Sequence, residues 1–294
     1  MRLVFIGFGE AAYNIASGLK AEGLTDIGAF DRNAADPQLG GLIQQRAAEV
    51  GVKLFESLES AYQAGEFIAC LTSANSAFAV AKSVIPQLKA GQVYVDMNSA
   101  APTIKAAIAQ IPHKEDVMFC DAAVMGTVPG NKHKVPMFLA GDGAEKFAMA
   151  FAQYGMKLTV LDAKAGGASA IKMLKSVIMK GLPQLMFESF EAALKYGVLD
   201  TLAASLASSL NGKTVEQLAD TFTARTMIHA ARRSEEMQDV VATLESLGVD
   251  AVMSKATVAK LDRLAEQNWV EILGADGDKL NYREAMQALI KNKK

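Results

Sequence analysis

The stretch MRLVFIGFGEAAYNIASGL, residues 1–19, decides the fold. Arg2 to Ile6 reads as a short buried strand, and Gly7-Phe8-Gly9 as a turn that only small residues make. Glu10 to Leu19 then has helical apolar spacing at Ala11, Ile15, Ala16 and Leu19. A strand that enters a helix through Gly-x-Gly presents free backbone N–H groups at the positive helix end, where they suit a pyrophosphate. The third glycine of G-x-G-x-x-G is Ala12 here, at a position that requires only close helix–strand packing. Gly7, Phe8, Gly9, Glu10 and Ala11 are therefore the expected cofactor contacts of this turn.

The second strand, Ile27-Gly28-Ala29-Phe30, ends in Asp31. In this arrangement a carboxylate accepts hydrogen bonds from the adenosine ribose hydroxyls and repels a 2′-phosphate, which favours NAD over NADP. The Arg32 guanidinium suits the opposite choice, binding that phosphate or stacking on adenine. The plainer role for Asp31 is capping the turn before Asn33. The turn after the fourth strand, Leu71-Thr72-Ser73, is placed to pass over the same cofactor, although Ser73 and Asn75 equally suit a helix N-cap.

At 294 residues, 51% apolar and with net charge −2, the chain holds two domains of ordinary size. It has no basic excess that would point to nucleic acid or an anionic membrane. Cys70 and Cys120 both sit in apolar, strand-like runs, which suits reduced core thiols of a cytoplasmic protein, with neither disulfide nor metal-ligand spacing. No signal-peptide pattern precedes the first strand and no apolar run is long enough for a bilayer, so a soluble protein is expected.

Strand and helix patterns alternate through residue 161, with further strands at Val52 to Phe55, Phe67 to Leu71 (the fourth), Val93 to Asp96, Val117 to Val124, Val135 to Ala140 and Lys157 to Leu161. Helices are expected over 38–50, from Asn75 to Leu88 and through Ile108. This predicts an α/β fold, a Rossmann doubly wound and mainly parallel sheet, over residues 1–163. From Ala168 onward helical periodicity takes over, predicting an all-α substrate or dimerisation domain over 164–294 whose first long helix runs towards Tyr196. That helix is apolar over most of its circumference (Met173, Met179, Leu182, Leu185, Met186), so it is covered either by its own domain or by a second copy in a homodimer.

Four segments, in order, resemble the β-hydroxyacid dehydrogenases, the family containing 3-hydroxyisobutyrate and 6-phosphogluconate dehydrogenases. They are the glycine turn; Val95-Asp96-Met97-Asn98-Ser99, beside the family's D-x-S-T or G-G-N-S turn; Asp121-Ala122-Ala123-Val124-Met125-Gly126, beside D-A-P-V-S-G; and the run from Gly166 to Ser176, beside the helix that bears the catalytic lysine. The resemblance covers residues 1 to about 180. Beyond it, His229-Ala230-Ala231-Arg232-Arg233-Ser234-Glu235-Glu236-Met237 resembles a branch with an H-x-x-R-R-x-x-E-M run.

The resemblance implies an NAD(P)-dependent dehydrogenase with Lys172 as general base, acid in the reverse direction. Removing a hydroxyl proton as hydride leaves carbon requires a lysine whose pKa burial and nearby positive charge have lowered. Lys172 sits among Ala168, Ala170, Ile171, Met173 and Leu174; its ordinary alternative is a packed stem with the ammonium in water. Ser176 stands where the family has asparagine, and Asn98 and Ser99 lie at a strand's carboxyl end, where open sheets bind ligands. Val124, Met125, Gly126 and Thr127 form the expected substrate loop, with Met125 in place of its serine and the Gly126 and Thr127 amides suited to a carboxylate. Met179 replaces a glutamate of the 6-phosphogluconate members, which argues against that activity.

His229, Arg233 and Glu236 share one helix face by spacing, either as a carboxylate anchor or as part of a surface ladder with Arg232. Lys132-His133-Lys134 reads as a solvated hairpin tip, or as added attraction for an acidic substrate if it folds inward. The expected activity is oxidation of a β-hydroxy acid or a related small hydroxylated acid. Its alternatives are an imine or keto-acid reductase on the same scaffold, which lysine at 172 opposes, and an NAD(P)-binding regulatory protein without turnover.

Overall fold

The computed structural model describes residues 2–274 and 276–292. The chain divides into two compact units, Met1–Val177 and Ile178–Lys294.

The first unit is built on one eight-stranded sheet in the order β3-β2-β1-β4-β5-β6-β7-β8. Its strands are β1 (Leu3–Ile6), β2 (Ile27–Phe30), β3 (Lys53–Leu54), β4 (Phe67–Cys70), β5 (Val93–Asp96), β6 (Met118–Val124), β7 (Met137–Ala140) and β8 (Leu158–Val160). All neighbours pair parallel except β6 and β7. The helices α1 (Glu10–Ala21), α2 (Gly40–Glu49), α3 (Leu58–Ala64), α4 (Ala77–Val84), α5 (Pro102–Ala109), α6 (Val128–Asn131) and α7 (Ala144–Ala152) fill the connections. The central strands are short continuous apolar runs because both faces are covered. Leu3, Phe5, Phe67 and Val95 belong to one core; Ile6, Ile68, Cys70 and Tyr94 belong to the other. The order reverses between β1 and β4, where doubly wound sheets place a crevice at their carboxyl edge.

The expected helix from Asn75 to Leu88 is divided, with α4 giving way to a 3-10 turn at Ile85–Gln87 around Pro86. In the basic run 132–134, Lys132 and Lys134 are exposed as a solvated tip requires, but His133 is not. The run forms a 3-10 turn (Lys132–Lys134) in which His133 is only 4% exposed. The imidazole lies against Gly18 of α1, where any Cβ would stand 1.9 Å from His133 Nδ1. Its flanking lysines reach α1 and its C-cap, Lys134 pairing with Glu22 at 2.7 Å and Lys132 reaching Ser17 Oγ at 3.4 Å.

Helix α8 (Gly167–Tyr196) runs the full length expected of it and crosses the division between the units. Gly197, at φ +74°, ends it with the Val198 amide bonded back to Ala193 O. The second unit is helical throughout: α9 (Leu199–Leu210), α10 (Val215–Ile228), α11 (Ala230–Ser246), α12 (Val252–Ala265), α13 (Trp269–Leu273) and α14 (Tyr282–Lys291). Glu188 of α8 caps α12 by accepting the Met253 and Ser254 amides, which spends a buried carboxylate on free helix N–H groups. Small cores form around Leu244 and Val249 and around Met227 and Trp269. Among the described residues, no helix is long and apolar enough to cross a membrane.

Candidate active site

The glycine turn has the geometry a bound pyrophosphate needs. Gly7 is held at φ +89°, and a Cβ there would lie 2.3 Å from the Leu71 carbonyl oxygen, so β1 and β4 approach too closely for any other residue. Gly9 precedes α1, and a Cβ built on it meets nothing within 4 Å; the space beside the helix N-terminus is open. Ala12 is buried, as close helix–strand packing requires. Phe8 has a different role from its neighbours. Its ring is enclosed in the core beside Phe5, and its amide donates to Asp31 Oδ2 at 2.8 Å. The same carboxylate accepts the Asn33 amide at 2.9 Å through Oδ1, so Asp31 both caps its turn and ties β2 to the glycine turn.

A cavity of about 400 Å³ brings Gly7, Gly9, Asp31, Arg32, Leu71, Thr72 and Ser73 together. Glu10, Ala11 and Asn98 do not line it. Asn33, Leu58, Ser76 and Val80 do, and the sequence reading had not singled them out as site residues. Ser76 is the N-cap residue of α4, with its hydroxyl 2.9 Å from that of Ser73; a Ser-x-x-Ser pair before a helix was the available signal. An open crevice with a bare glycine N-terminus and one fixed carboxylate fits the pyrophosphate and ribose of a dinucleotide.

A second cluster forms at the carboxyl ends of β5 and β6. Lys172, one turn into α8, donates from Nζ to Ser99 Oγ at 2.7 Å. The ammonium is half-buried, and desolvation, followed by the positive charge of Lys105, lowers its pKa from the ordinary lysine value. Asn98 is buried, and its amide group points inward, donating to Asp96 Oδ2 at 3.2 Å and to Cys70 Sγ at 3.3 Å. Asn98 thus braces the turn that presents Ser99. Ser176 donates to the Lys172 carbonyl at 3.1 Å, a bond within its own helix. Lys105 was absent from the sequence reading; a lysine on an otherwise apolar helix carried no sign that it is fully enclosed.

In the 124–127 loop Val124 is buried and Met125 packs towards Ala123, Ala140 and Ala168. Gly126 and Thr127 are exposed, and their amides find no backbone acceptor among the described residues. In the second unit His229 lies at the junction of α10 and α11, not inside one helix, so it does not continue the face that spacing had suggested. Arg232 pairs with Glu236, and the guanidinium of Arg233 is bonded to Thr226 Oγ1. No cluster of metal-ligating side chains occurs among the described residues.

This arrangement is that of an NAD-binding oxidoreductase with a 3-hydroxyacid dehydrogenase-like fold. Residues 2–163 match the NAD binding domain of 6-phosphogluconate dehydrogenase, and the chain belongs to that family. Residues 193–264 match a domain of unknown function (DUF1932). A conserved hypothetical protein from Sinorhizobium meliloti 1021 is 32% identical, with 99% of this chain and 96% of that one covered and a TM-score of 0.65. The conserved protein MTH1747, of unknown function and with structural similarity to 3-hydroxyacid dehydrogenases, is 29% identical, covering 90% and 97% at a TM-score of 0.63. An imine reductase V8 variant from Myxococcus stipitatus in complex with NAD+ shares the fold at 15% identity and a TM-score of 0.73, covering 98% of each chain.

Proposed function

We propose that the protein is an NAD(P)-dependent dehydrogenase that oxidises a β-hydroxy acid or a related small hydroxylated acid, with Lys172 as the general base. The observation that carries this reading is the 2.7 Å bond from Lys172 Nζ to Ser99 Oγ, at the carboxyl edge of the sheet. What supports the reading is that Lys172 Nζ is within hydrogen-bond reach of a hydroxyl at this edge of the sheet, and that the lysine pKa lies below its ordinary value. The cofactor, when bound, supplies a hydride acceptor. Lys172 then takes the hydroxyl proton as the carbon–hydrogen bond gives up its electron pair, and the product is a carbonyl acid. In the reverse direction the protonated amine returns that proton. Ser99 orients the hydroxyl, Ser176 and Asn98 support the two sides of the site, and the exposed amides at 126 and 127 suit the substrate carboxylate.

The lowered pKa gives the sign of the pH dependence. Neutral Lys172 is present at lower pH than for a free lysine, so oxidation rises with pH through that shifted value, and reduction falls. NAD is the favoured cofactor because Asp31 faces the cavity. The test is a screen of hydroxy acids, sugar acids and hydroxy amino acids, following NADH and NADPH formation separately. For the substrate found, Lys172→Ala is expected to lower kcat by about 10²–10⁴-fold while NADH still binds. Turnover that survives Lys172→Ala largely intact excludes the mechanism. Activity confined to imines would favour the reductase reading, which the imine reductase fold relative supports.

The protein is further proposed to act as a homodimer through its helical region. What supports this is the apolar surface that α8 leaves uncovered, including Ile178, Phe187 and Leu194.

A further inference from the structure

Lys105, on α5, has no exposed side-chain area. Its ammonium donates to Asp96 O and Asp96 Oδ1, both at 2.7 Å, and lies in an ion pair 3.3 Å from Asp121 Oδ1. Each carboxylate also accepts further donors. Asp96 accepts the Asn98 amide at 2.9 Å and the Asn98 side chain at 3.2 Å. Asp121 accepts the amides of Gly166 at 3.0 Å and Ser169 at 3.1 Å, and the Ser169 hydroxyl at 2.7 Å.

These partners join two segments that also meet at the Lys172–Ser99 bond. Asp96 ends β5, immediately before the turn bearing Asn98 and Ser99. Gly166 immediately precedes α8, and Ser169 lies in its first turn, three residues before Lys172. A buried ion group of this kind gives little stability that apolar residues of the same volume would not also give. Its partners lead directly into the turn bearing Ser99 and the helix bearing Lys172.

We propose that Lys105 is a positioning residue for the Lys172 site: it clamps the Ser99 turn to the first turn of α8 and sets the charge that Lys172 faces. The inference deepens the reading of Lys172 as a proton carrier and rests on it. From α5 the group facing Lys172 is Lys105, from the turn after β5 it is Ser99, and the carboxylates of Asp96 and Asp121 stand behind Lys105 as its partners. With the ammonium in place, like charge opposes protonation of Lys172. Without it, two carboxylates are left in the same place and favour protonation.

The test measures Lys172 directly and requires no substrate. The protein is labelled with trace acetic anhydride across pH 6–11, and the Lys172 peptide is quantified against a free-amine standard by mass spectrometry. In Lys105→Met the midpoint of Lys172 labelling is expected to move up by about one pH unit, so that labelling near pH 8 falls about tenfold. Lys105→Arg, which keeps the charge, is expected to restore most of it. If Lys105→Met fails to fold by circular dichroism, Asp121→Asn gives the opposite sign: one carboxylate fewer lets more of the Lys105 charge act, and the midpoint falls. An unchanged midpoint in whichever of these variants folds overturns the proposal. Failure of the dehydrogenase reading shows separately, as no hydroxy acid turned over by the unaltered protein.

Discussion

A carboxylate offers about four acceptor positions. At Asp31 the amides of Phe8 and Asn33 take two of them and lock the group in orientation, leaving two for ribose hydroxyls. A fixed carboxylate also repels a 2′-phosphate, and Arg32 on the same cavity opposes that effect only from an exposed position. Asp31→Ser is therefore expected to shift the ratio of KM for NADP to KM for NAD towards NADP by about tenfold or more, equivalent to about 1.4 kcal/mol. Affinity for NAD should fall at the same time, because the tie from β2 to the glycine turn is lost. Parallel titrations of both reduced cofactors, followed by fluorescence, measure this. An unchanged preference would show that Arg32, not Asp31, governs the ribose end.

Elements whose formation depends on local pattern were legible in the sequence. The strand–glycine turn–helix unit, the β-α alternation and the long helix ending at Tyr196 all stand where periodicity and glycines put them. What was not legible depends on distant partners. Nothing in Lys132-His133-Lys134 reveals that Gly18, far back in the chain, leaves a socket for the imidazole. Nor does α5 reveal that Asp96 and Asp121 converge on Lys105. His133 also makes a prediction for its element, the turn docked on α1. Both of its ring nitrogens are buried; burial, and then Lys134, lower its pKa below 6.5, while the Tyr154 backbone and then Glu22, at 3.8 Å, partly offset them. The unfolded chain binds that proton more readily than the folded one. Stability is therefore complete above pH 6.5, declines as pH falls through that value, and levels off below the folded-state pKa. Melting temperatures at pH 8 and pH 5.5 are expected to differ by a few degrees more in the unaltered protein than in His133→Met. Equal differences would show that His133 is charged in the fold.

At the scale of the whole molecule, the sequence left open whether α8 is covered by its own domain or by a second copy. Phe187 and Leu194, seven residues apart and so on one face of the helix, remain 66% and 67% exposed. Monomeric proteins rarely leave such a stripe in water, and burying each of these side chains contributes about 1.5–3 kcal/mol. A second copy supplies an equally apolar face, and a two-fold pair buries the stripe of both chains at once. Sedimentation velocity at micromolar concentration is therefore expected to give twice the mass of one chain. Phe187→Glu combined with Leu194→Glu places four carboxylates in that interface, and the double variant should sediment as a monomer with its helical circular dichroism retained. The first unit alone carries Lys172, Ser99 and the glycine turn, so NADH binding by the variant distinguishes lost association from lost folding. An unaltered chain that sediments at the mass of one copy would leave α8 to be covered by some other partner.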